Sequence, residues 1–305
     1  MSTATIGFIG GGNMAASIIG GLLASGIDAE NIRAGDPNAD SLSKLSALGN
    51  IQTSQDNHAI IPGCDVIVMA VKPQLMKTVA GEISALVQQH RPMVISIAAG
   101  ITSHSLNRWL GGDLAIVRCM PNTPALLRCG ATGLYANDAV SEQQRQLAEK
   151  IMQATGLALW VDSEADLDAV TAVSGSGPAY FFLLMEAMQA SGEKLGLSSE
   201  LAAKLSQQTA LGAARMALEG DVDVAELRRR VDAIRDAQDA AVVRYLRSFA
   251  DEPSRRHADR IEAGHHRAPK TTLGPEPEWV CPYCMASKGF FVQRGFRRCC
   301  GEPGQ

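Results

Sequence analysis

The sequence predicts an α/β protein, in which a parallel sheet covered by helices on both faces is followed by a helical domain. Short apolar segments alternate with helical patterns through the first half of the chain, as in sheets that are buried on both faces. A run of glycines follows the first segment, and only helical patterns remain after residues 157–160. We therefore expect an α/β domain over residues 1–160 and a helical domain over residues 161–231.

Five apolar segments are the predicted strands. They cover residues 6–9, 31–34, 65–71, 93–97 and 114–117. Helical patterns lie between most of them, and the first covers residues 15–25. Because the segments are apolar on both faces, they predict parallel strands joined by helices that cross the sheet.

Two long helices are predicted in the second half of the chain. Residues 179–195 are so apolar that this helix should lie at the centre of the helical domain, and residues 201–218 form the next helix. The run SGSGP at residues 174–178 precedes the first of them. Its glycines permit a sharp backbone path, and Pro178 suits the first turn of a helix.

Composition and charge exclude several classes of protein. Apolar residues make up 46% of the 305 residues and charged residues 20%, which predicts a soluble globular protein. The formal net charge of −4 gives no reason to expect binding to nucleic acid or to an acidic membrane surface. No secretory signal and no apolar run long enough to span a bilayer is visible, so a cytoplasmic location is expected.

Cysteine and histidine give little indication of catalysis. Cys64, Cys119 and Cys129 lie among apolar neighbours, so reduced thiols in the core are expected. His58, His90 and His104 have no obvious partner, and there is no GxSxG motif of a serine nucleophile. We predict no metal site, and we expect the chemistry to belong to a bound cofactor.

The glycine run has the pattern of a dinucleotide-binding turn. Gly10, Gly12 and Ala15 match GxGxxA between a predicted strand and a predicted helix, which is the context that this motif requires. The first glycine permits a tight turn, the second lets the backbone approach a pyrophosphate, and the alanine keeps helix and strand close. The helix N-terminus attracts the anion. The first domain is therefore predicted to be of the Rossmann type.

Asp36 has two possible roles. An acid near the end of the second strand favours NAD, because it binds the ribose hydroxyls and repels a 2′-phosphate. The sequence Asp36-Pro37-Asn38 also has turn chemistry, so the same side chain could cap the next helix. The sequence does not decide between these roles.

Three further segments are candidates for ligand contacts because they follow predicted strands. They are residues 70–73 (AVKP), 98–100 (AAG) and 121–124 (PNTP). In an open α/β sheet, ligands bind beyond the carboxyl ends of the strands. Each segment alone could be an ordinary turn, but together with the glycine run they predict a flat ring held against rigid backbone.

Five motifs within residues 1–231 occur together in a combination that is highly specific. They are GFIGGGNMA (7–15), AVKP (70–73), SIAAG (96–100), RCMPNTPA (118–125) and DAVTAVSGSGPAY (168–180). In this combination the chain resembles the pyrroline-5-carboxylate reductase family, and other dinucleotide-binding dehydrogenases do not share the set.

The resemblance implies a reaction and a set of binding residues. A hydride would pass from NADPH, or less well NADH, to the cyclic imine of 1-pyrroline-5-carboxylate, giving L-proline in the last step of proline biosynthesis. The helical domain would interlock with that of a second subunit in a homodimer. The cofactor-binding residues, with Asp36 included on the argument above, would be Gly10, Gly11, Gly12, Asn13, Met14, Asp36, Asn57, Ala70, Val71, Lys72, Pro73, Ala98 and Ala99. The substrate-binding residues would be Asn122, Glu164 and Ser176.

The resemblance stops at Val231. Family members continue close to Thr-Ser-Pro-Gly-Gly-Thr-Thr-Glu, where small residues bind the substrate carboxylate and a threonine faces the imine. This chain continues DAIRDAQ at residues 232–238, and the two helices that should follow are not recognisable. No catalytic side chain is therefore predicted, and the dimer that the family implies is in doubt for this chain.

Residues 232–305 form an atypical tail with two explanations. A reading-frame change in the gene is the first, and the tail beyond residue 249 lacks apolar periodicity and is expected to be largely irregular. The second is an intended tail that binds metal through Cys281, Cys284, Cys299 and Cys300. We disfavour it because adjacent cysteines make a poor second metal-binding pair.

Three functions follow from the sequence. The first is an NAD(P)H-dependent pyrroline-5-carboxylate reductase. The second is a dinucleotide-binding protein with impaired catalysis, because the substrate loop is replaced. The third is a related imine or keto reductase, in which the tail supplies a different pocket.

Overall fold

An eight-stranded sheet forms the centre of residues 4–232, which are the residues that the computed structural model describes. Its strands are β1 (Ile6–Ile9), β2 (Ile32–Gly35), β3 (Gln52–Ser54), β4 (Val66–Met69), β5 (Met93–Ser96), β6 (Ile116–Met120), β7 (Gly130–Ala136) and β8 (Gly156–Trp160). The spatial order is β3-β2-β1-β4-β5-β6-β7-β8. The strands β1 to β6 are mutually parallel, whereas β7 is antiparallel to β6 and β8 is parallel to β7. The strand order therefore reverses at β1: β2 and β3 lie on one side of β1, and β4 to β8 lie on the other.

The described helices cover both faces of the sheet and then continue without further strands. They are α1 (Asn13–Ala24), α2 (Ala39–Ser46), α3 (Pro73–His90), α4 (Ser103–Trp109), α5 (Glu142–Gln153), α6 (Asp166–Val170), α7 (Gly177–Lys194), α8 (Ser199–Glu219) and α9 (Val224–Asp232). Local sequence explains many of the starts. Asn38 and Ser198 cap α2 and α8 with their side chains, and Ser141 forms a capping box with Gln144 at α5.

Two apolar cores lie on opposite faces of the sheet. One is built around Phe8, Ile18 and Ile95 under α1 and α5, and the other around Ile67 and Met76 under α3 and α4. This arrangement confirms the predicted α/β fold, with helices on both sides of mainly parallel strands. The described residues belong to one compact unit, and the domain boundary at residue 160 stays a prediction.

Three of the observed strands, β3, β7 and β8, are not among the five predicted ones. The segment of β3 has only three residues, and none of them is buried. The segment of β7, GATGLYA, contains two glycines and lies in an antiparallel pair, so it lacks the continuous apolar run that marked the parallel strands. Gly156 begins β8 with φ +139°, and a Cβ there would overlap the backbone oxygen of Gly130, its partner in β7. Only glycine fits this close approach.

The helix α7 lies where the sequence predicted it, but the described residues leave its apolar face exposed. Phe181 is 59% exposed and Phe182 is 58% exposed, although the helix packs closely against α8. Within residues 4–232 the helix is therefore not enclosed, and its central place in a helical domain stays a prediction. A surface of this kind is typical of a contact with another protein.

Cysteine burial agrees with the prediction at two positions and differs at a third. Cys64 and Cys119 are buried, and burial raises the pKa of both thiols. Cys129 is exposed, in the turn before β7, so the prediction of a core thiol was wrong there. No group of three or more possible metal ligands occurs within residues 4–232. The four cysteines of the tail, like the rest of residues 233–305, lie outside the described residues.

None of the helices that the structure describes is long and apolar enough to cross a membrane.

Candidate active site

The predicted ligand segments meet at one edge of the sheet. The backbone N–H of Gly10 donates to the carbonyl of Gly35 at 2.7 Å, and the N–H of Ala70 donates to the carbonyl of Ile9 at 2.8 Å. The N–H of Ile97 donates to the carbonyl of Met69 at 3.3 Å. These bonds place the ends of β2, β1, β4 and β5 side by side. The candidate site lies at this edge, where the strand order changes direction.

Gly10 is required by the fold itself. Its φ is +104°, and a Cβ there would lie 2.7 Å from the carbonyl oxygen of Ala70. A larger residue would be strained and would also press on the end of β4. The tight turn predicted at this glycine is confirmed by this geometry.

Gly12 is not required by the fold. Its φ of −74° and ψ of −179° suit any residue, and nothing lies within 4 Å of a Cβ built on it. It is exposed and stands at the N-cap of α1, in front of the free N–H groups of the first turn. The open space and the helix N-terminus fit a phosphate group, so the described residues are suited to hold a dinucleotide here.

Asp36 holds the glycine turn to the end of β2. Its Oδ2 accepts the backbone N–H of Gly11 at 2.7 Å, and its Oδ1 accepts that of Asn38 at 2.8 Å. The helix α2 is capped by Asn38, so the alternative that Asp36 caps this helix was wrong. Both carboxylate oxygens accept hydrogen bonds from backbone N–H groups. These two bonds account for an acidic residue at this position, and no contact with a ribose is needed to explain it.

Asn57 offers an unused acceptor beside the same strand end. It begins a short 3₁₀ turn, Asn57–Ala59, and its Oδ1 is buried with no hydrogen-bond partner among the described residues. A Cβ on Gly35 would lie 2.6 Å from this oxygen, so the glycine makes room for the amide. Buried oxygens of this kind are normally paired, and this one is enclosed against the end of β2.

The segments after β4 and β5 present backbone and small side chains to the edge. Pro73 lies in the first turn of α3, and Lys72 stands at its N-cap with an exposed side chain. Ala98 is buried, and its N–H donates to the hydroxyl of Ser96 at 3.4 Å. Ala70, Val71 and Ala99 are partly exposed at the same edge. Their small size leaves space for a flat ring against rigid backbone.

Asn122 joins the end of β6 to two other segments. Its Nδ2 donates to the carbonyl of Ser174 at 3.0 Å, and its Oδ1 accepts the N–H of Ala131 at 2.9 Å. The side chain is buried, so both bonds are shielded from water. The predicted substrate residue thus fixes the backbone around the site.

Glu164 is engaged within the chain. It accepts from the guanidinium Nη1 of Arg118 at 2.9 Å, from the hydroxyl of Ser103 at 3.0 Å and from the backbone N–H of Ser103. Arg118 is buried in β6 and was missed by the sequence analysis. An arginine within an apolar strand is unusual, and this signal could have identified it.

Ser176 follows a turn of π-helix that links α6 to α7. The turn covers Thr171–Gly175, and the N–H of Ser176 donates to the carbonyl of Thr171 at 2.8 Å. Pro178 lies in the first turn of α7, as predicted. Single π turns are frequent at functional sites, because they shift side chains out of the regular helical register.

His58 has partners that the sequence analysis did not foresee. Its Nδ1 lies 2.9 Å from Oδ1 of Asp56, and its Nε2 lies 3.2 Å from the carbonyl oxygen of Glu82 on α3. The hydrogen bond with Asp56 raises the pKa of His58, and the carbonyl of Glu82 adds to this effect. The pKa of Asp56 is lowered, chiefly by the backbone N–H of His58 that it accepts. The pair therefore holds the 3₁₀ turn of Asn57 against α3.

We expect a nuclear magnetic resonance titration to place the pKa of His58 above 6.5, the usual value for histidine. Because this pKa is raised on folding, the stabilisation is fully present below the unfolded value and is lost as the pH rises through the folded value. Asp56→Asn keeps the acceptor for the N–H of His58 but removes the charge, so the midpoint should fall. An unchanged midpoint in this variant would contradict the assignment of the cause.

Two family models match the chain. The model described as pyrroline-5-carboxylate reductase dimerisation matches residues 164–242, and the model described as NADP oxidoreductase, coenzyme F420-dependent, matches residues 5–100. The first match extends past Val231, where the resemblance found in the sequence stops. The second covers the glycine turn and the ends of β1, β4 and β5.

Similar proteins include curated and solved members of one family. A pyrroline-5-carboxylate reductase of Pseudomonas aeruginosa is 54% identical, over 79% of this chain and 88% of that protein. A solved pyrroline-5-carboxylate reductase from Coxiella burnetii has a TM-score of 0.79 at 43% identity and covers 88% of this chain and 98% of its own. The Plasmodium falciparum pyrroline carboxylate reductase, solved with NADP bound, has a TM-score of 0.72 at 28% identity, over 88% and 97% of the two chains.

Proposed function

The chain belongs to the pyrroline-5-carboxylate reductase family, and from this premise we propose that it reduces 1-pyrroline-5-carboxylate to L-proline with NADPH. This is the last step of proline biosynthesis. The observation that carries the proposal is the open N-terminus of α1 behind Gly12, at the edge where β1, β4 and β5 end. NADH is the alternative cofactor.

In this proposal, none of the residues that hold the cofactor has to gain or lose a proton to do so. The backbone of Gly10, Gly11, Gly12, Asn13 and Met14 faces the pyrophosphate. Asn57 lines the nucleotide from its place beside the end of β2, with Asp36 keeping the glycine turn in place. The segment from Ala70 to Pro73 lines the nucleotide, and Ala98 and Ala99 lie against the nicotinamide.

The reaction adds a hydride and a proton, which are two electrons and two protons in all, to a carbon–nitrogen double bond. A bound nicotinamide would supply the hydride to the imine carbon, and the proton would be added to the nitrogen. Small, rigid strand ends position the reacting ring and exclude water from it. Asn122, Glu164 and Ser176 stand on the substrate side, where Asn122 and Glu164 fix the backbone from which Ser176 projects.

Oligomerisation is implied by the dimerisation model that matches residues 164–242. We place the contact on the exposed apolar face of α7, which Phe181 and Phe182 dominate. Burying such a face against a second copy would offset the cost of its exposure to water. A homodimer is the state we expect.

A second function is favoured by the sequence after Val231. Residues 232–238 contain none of the glycine, proline or hydroxyl residues that the family pattern places there. A chain that binds NADPH but lacks a substrate loop would be a dinucleotide-binding protein with little turnover. Loss of transition-state contacts from such a loop costs several kcal/mol in enzymes.

One experiment separates these functions. NADPH oxidation by the purified chain is measured with and without 1-pyrroline-5-carboxylate, beside a version in which residues 232–305 are replaced by a family-like loop and helices. Light scattering on both samples gives the oligomeric state. We expect substrate-dependent oxidation by the chain as it stands.

The possible outcomes differ clearly. Similar turnover by both versions supports the reductase and means that the tail of this chain completes the site. NADPH binding without turnover, restored by the replacement, supports the second function and overturns the first. Turnover of another imine or keto acid alone would point to the third function.

A further inference from the structure

A partly buried ion pair joins the sheet to the helical part of the chain. The Nη1 of Arg118 lies 2.9 Å from Oε1 of Glu164, and the two side chains are 9% and 24% exposed. Arg118 belongs to β6, whereas Glu164 lies in the link between β8 and α6. The pair therefore connects two parts of the proposed site through side chains alone.

The carboxylate of Glu164 has little capacity left for a substrate. Besides Arg118, both the backbone N–H and the hydroxyl of Ser103 donate to it. Ser103 is the first residue of α4, which follows the Ala98–Ala99 segment directly along the chain. The carboxylate thus also fixes the helix that comes after the proposed nicotinamide contact.

Met120 in β6 and Asn122 just after it contact the π turn at two further points. Asn122 donates to the carbonyl of Ser174 at 3.0 Å, and a Cβ on Gly175 would lie 2.8 Å from Cε of Met120. Residues 118, 120 and 122 alternate along β6 and beyond it, so they face the same side of the sheet. The link from residue 161 to Ser176 is therefore held along one face of β6.

We propose that Arg118 and Glu164 are a positioning pair, which sets where Ser176 and the start of α7 stand relative to the cofactor edge. In this role neither side chain needs to touch the reacting atoms. Removing the carboxylate would leave a buried guanidinium without its counter-ion, and the Nε of Arg118 already lacks a partner among the described residues. The link can then satisfy the guanidinium only by opening to water.

This inference rests on the proposed function for its kinetic part and on the fold for the rest. Glu164→Gln is the main variant, because glutamine keeps the shape and can still accept from Ser103. Arg118→Lys keeps the charge but loses the planar fork. Glu142→Gln is the matched control, because it removes a carboxylate from a pair with Arg145 that is long, at 4.0 Å, and exposed.

Amide hydrogen exchange is the first readout, on the full chain. In Glu164→Gln we expect exchange of residues 171–176 to rise about tenfold, with a smaller rise in Arg118→Lys, whereas β1 and α1 change less than twofold. Glu142→Gln should leave residues 171–176 unchanged. An equal loss of protection throughout the chain would mean that the pair only stabilises the fold in general, and it would overturn the proposal. Unchanged exchange of residues 171–176 would overturn it as well.

Binding and turnover give the second readout. The Kd for NADPH should stay within about twofold in Glu164→Gln, while the KM for 1-pyrroline-5-carboxylate rises roughly tenfold or more, since a small misplacement of a positioned segment has effects of this size. A weakened NADPH affinity with unchanged KM would overturn the proposal. If wild-type chain shows no turnover, the proposed function fails, but the exchange experiment still decides the positioning role.

Discussion

Gly12→Val is expected to weaken NADPH binding about a hundredfold while leaving the fold intact. The backbone of Gly12 suits any residue, and none of the described residues has an atom within 4 Å of its Cβ position, so valine is accommodated there without strain. Its side chain would instead fill the space in front of α1. Losing one or two hydrogen bonds to a charged pyrophosphate costs about 1.5–3 kcal/mol each. The Kd is measured by fluorescence titration with NADPH.

The stability of this variant provides the first check. Valine is a poorer N-cap than glycine, so the free energy of unfolding should fall by no more than about 1 kcal/mol. Gly20→Ala is the matched control, because Gly20 lies in the same helix, also with open space around its Cβ position. It should leave the Kd unchanged and stabilise by about 0.5–1 kcal/mol. Wild-type affinity in Gly12→Val would remove the glycine turn from the cofactor site.

Gly156→Ala is expected to destabilise the protein by about 3 kcal/mol, because strain and overlap act together there. The φ of +139° is one that alanine rarely adopts, and the new Cβ would collide with the backbone of Gly130. Neither strand can move without breaking the pairing of β7 with β8. For a chain of this size the Tm should fall by roughly 6–12 °C in calorimetry.

Gly63→Ala separates the two causes. Gly63 also has a positive φ, of +75°, but nothing lies within 4 Å of its Cβ position. Strain alone should cost about 1 kcal/mol. If both variants lose the same free energy of unfolding, the close approach of β7 and β8 does not contribute to the loss in Gly156→Ala, and strain alone explains it.

The parts of the fold that sequence could predict are those with a local cause. The parallel strands were visible as apolar runs, and the turn at Gly10 was visible because its motif followed a strand and preceded a helix. The strand β6 was also predicted, at residues 114–117, but its role as an anchor for Glu164 was not visible. Pairing between Arg118 and Glu164 spans 46 residues, and nothing in either local sequence announces it.

The candidate site shows the same division. Asn57, Asn122 and Ser176 were named from a family resemblance, which supplied positions but no contacts. The structure adds that Asn122 is a bridge and that Asp36 serves the glycine turn. The exposure of α7 could not be predicted from its sequence. The sequence of an apolar helix shows that the helix is covered, but not whether its own chain or another chain covers it.

The π turn between α6 and α7 also sets the phase of everything after it. A helix turns about 100° per residue, and a π turn accommodates about one residue more than an α turn. If the same residues formed an α turn instead, α7 would be rotated by roughly a quarter turn about its axis relative to α6. Phe181 and Phe182 would then face a different direction, although every side chain of α7 remained the same. The direction of the apolar face of α7 is therefore set by the turn that precedes the helix.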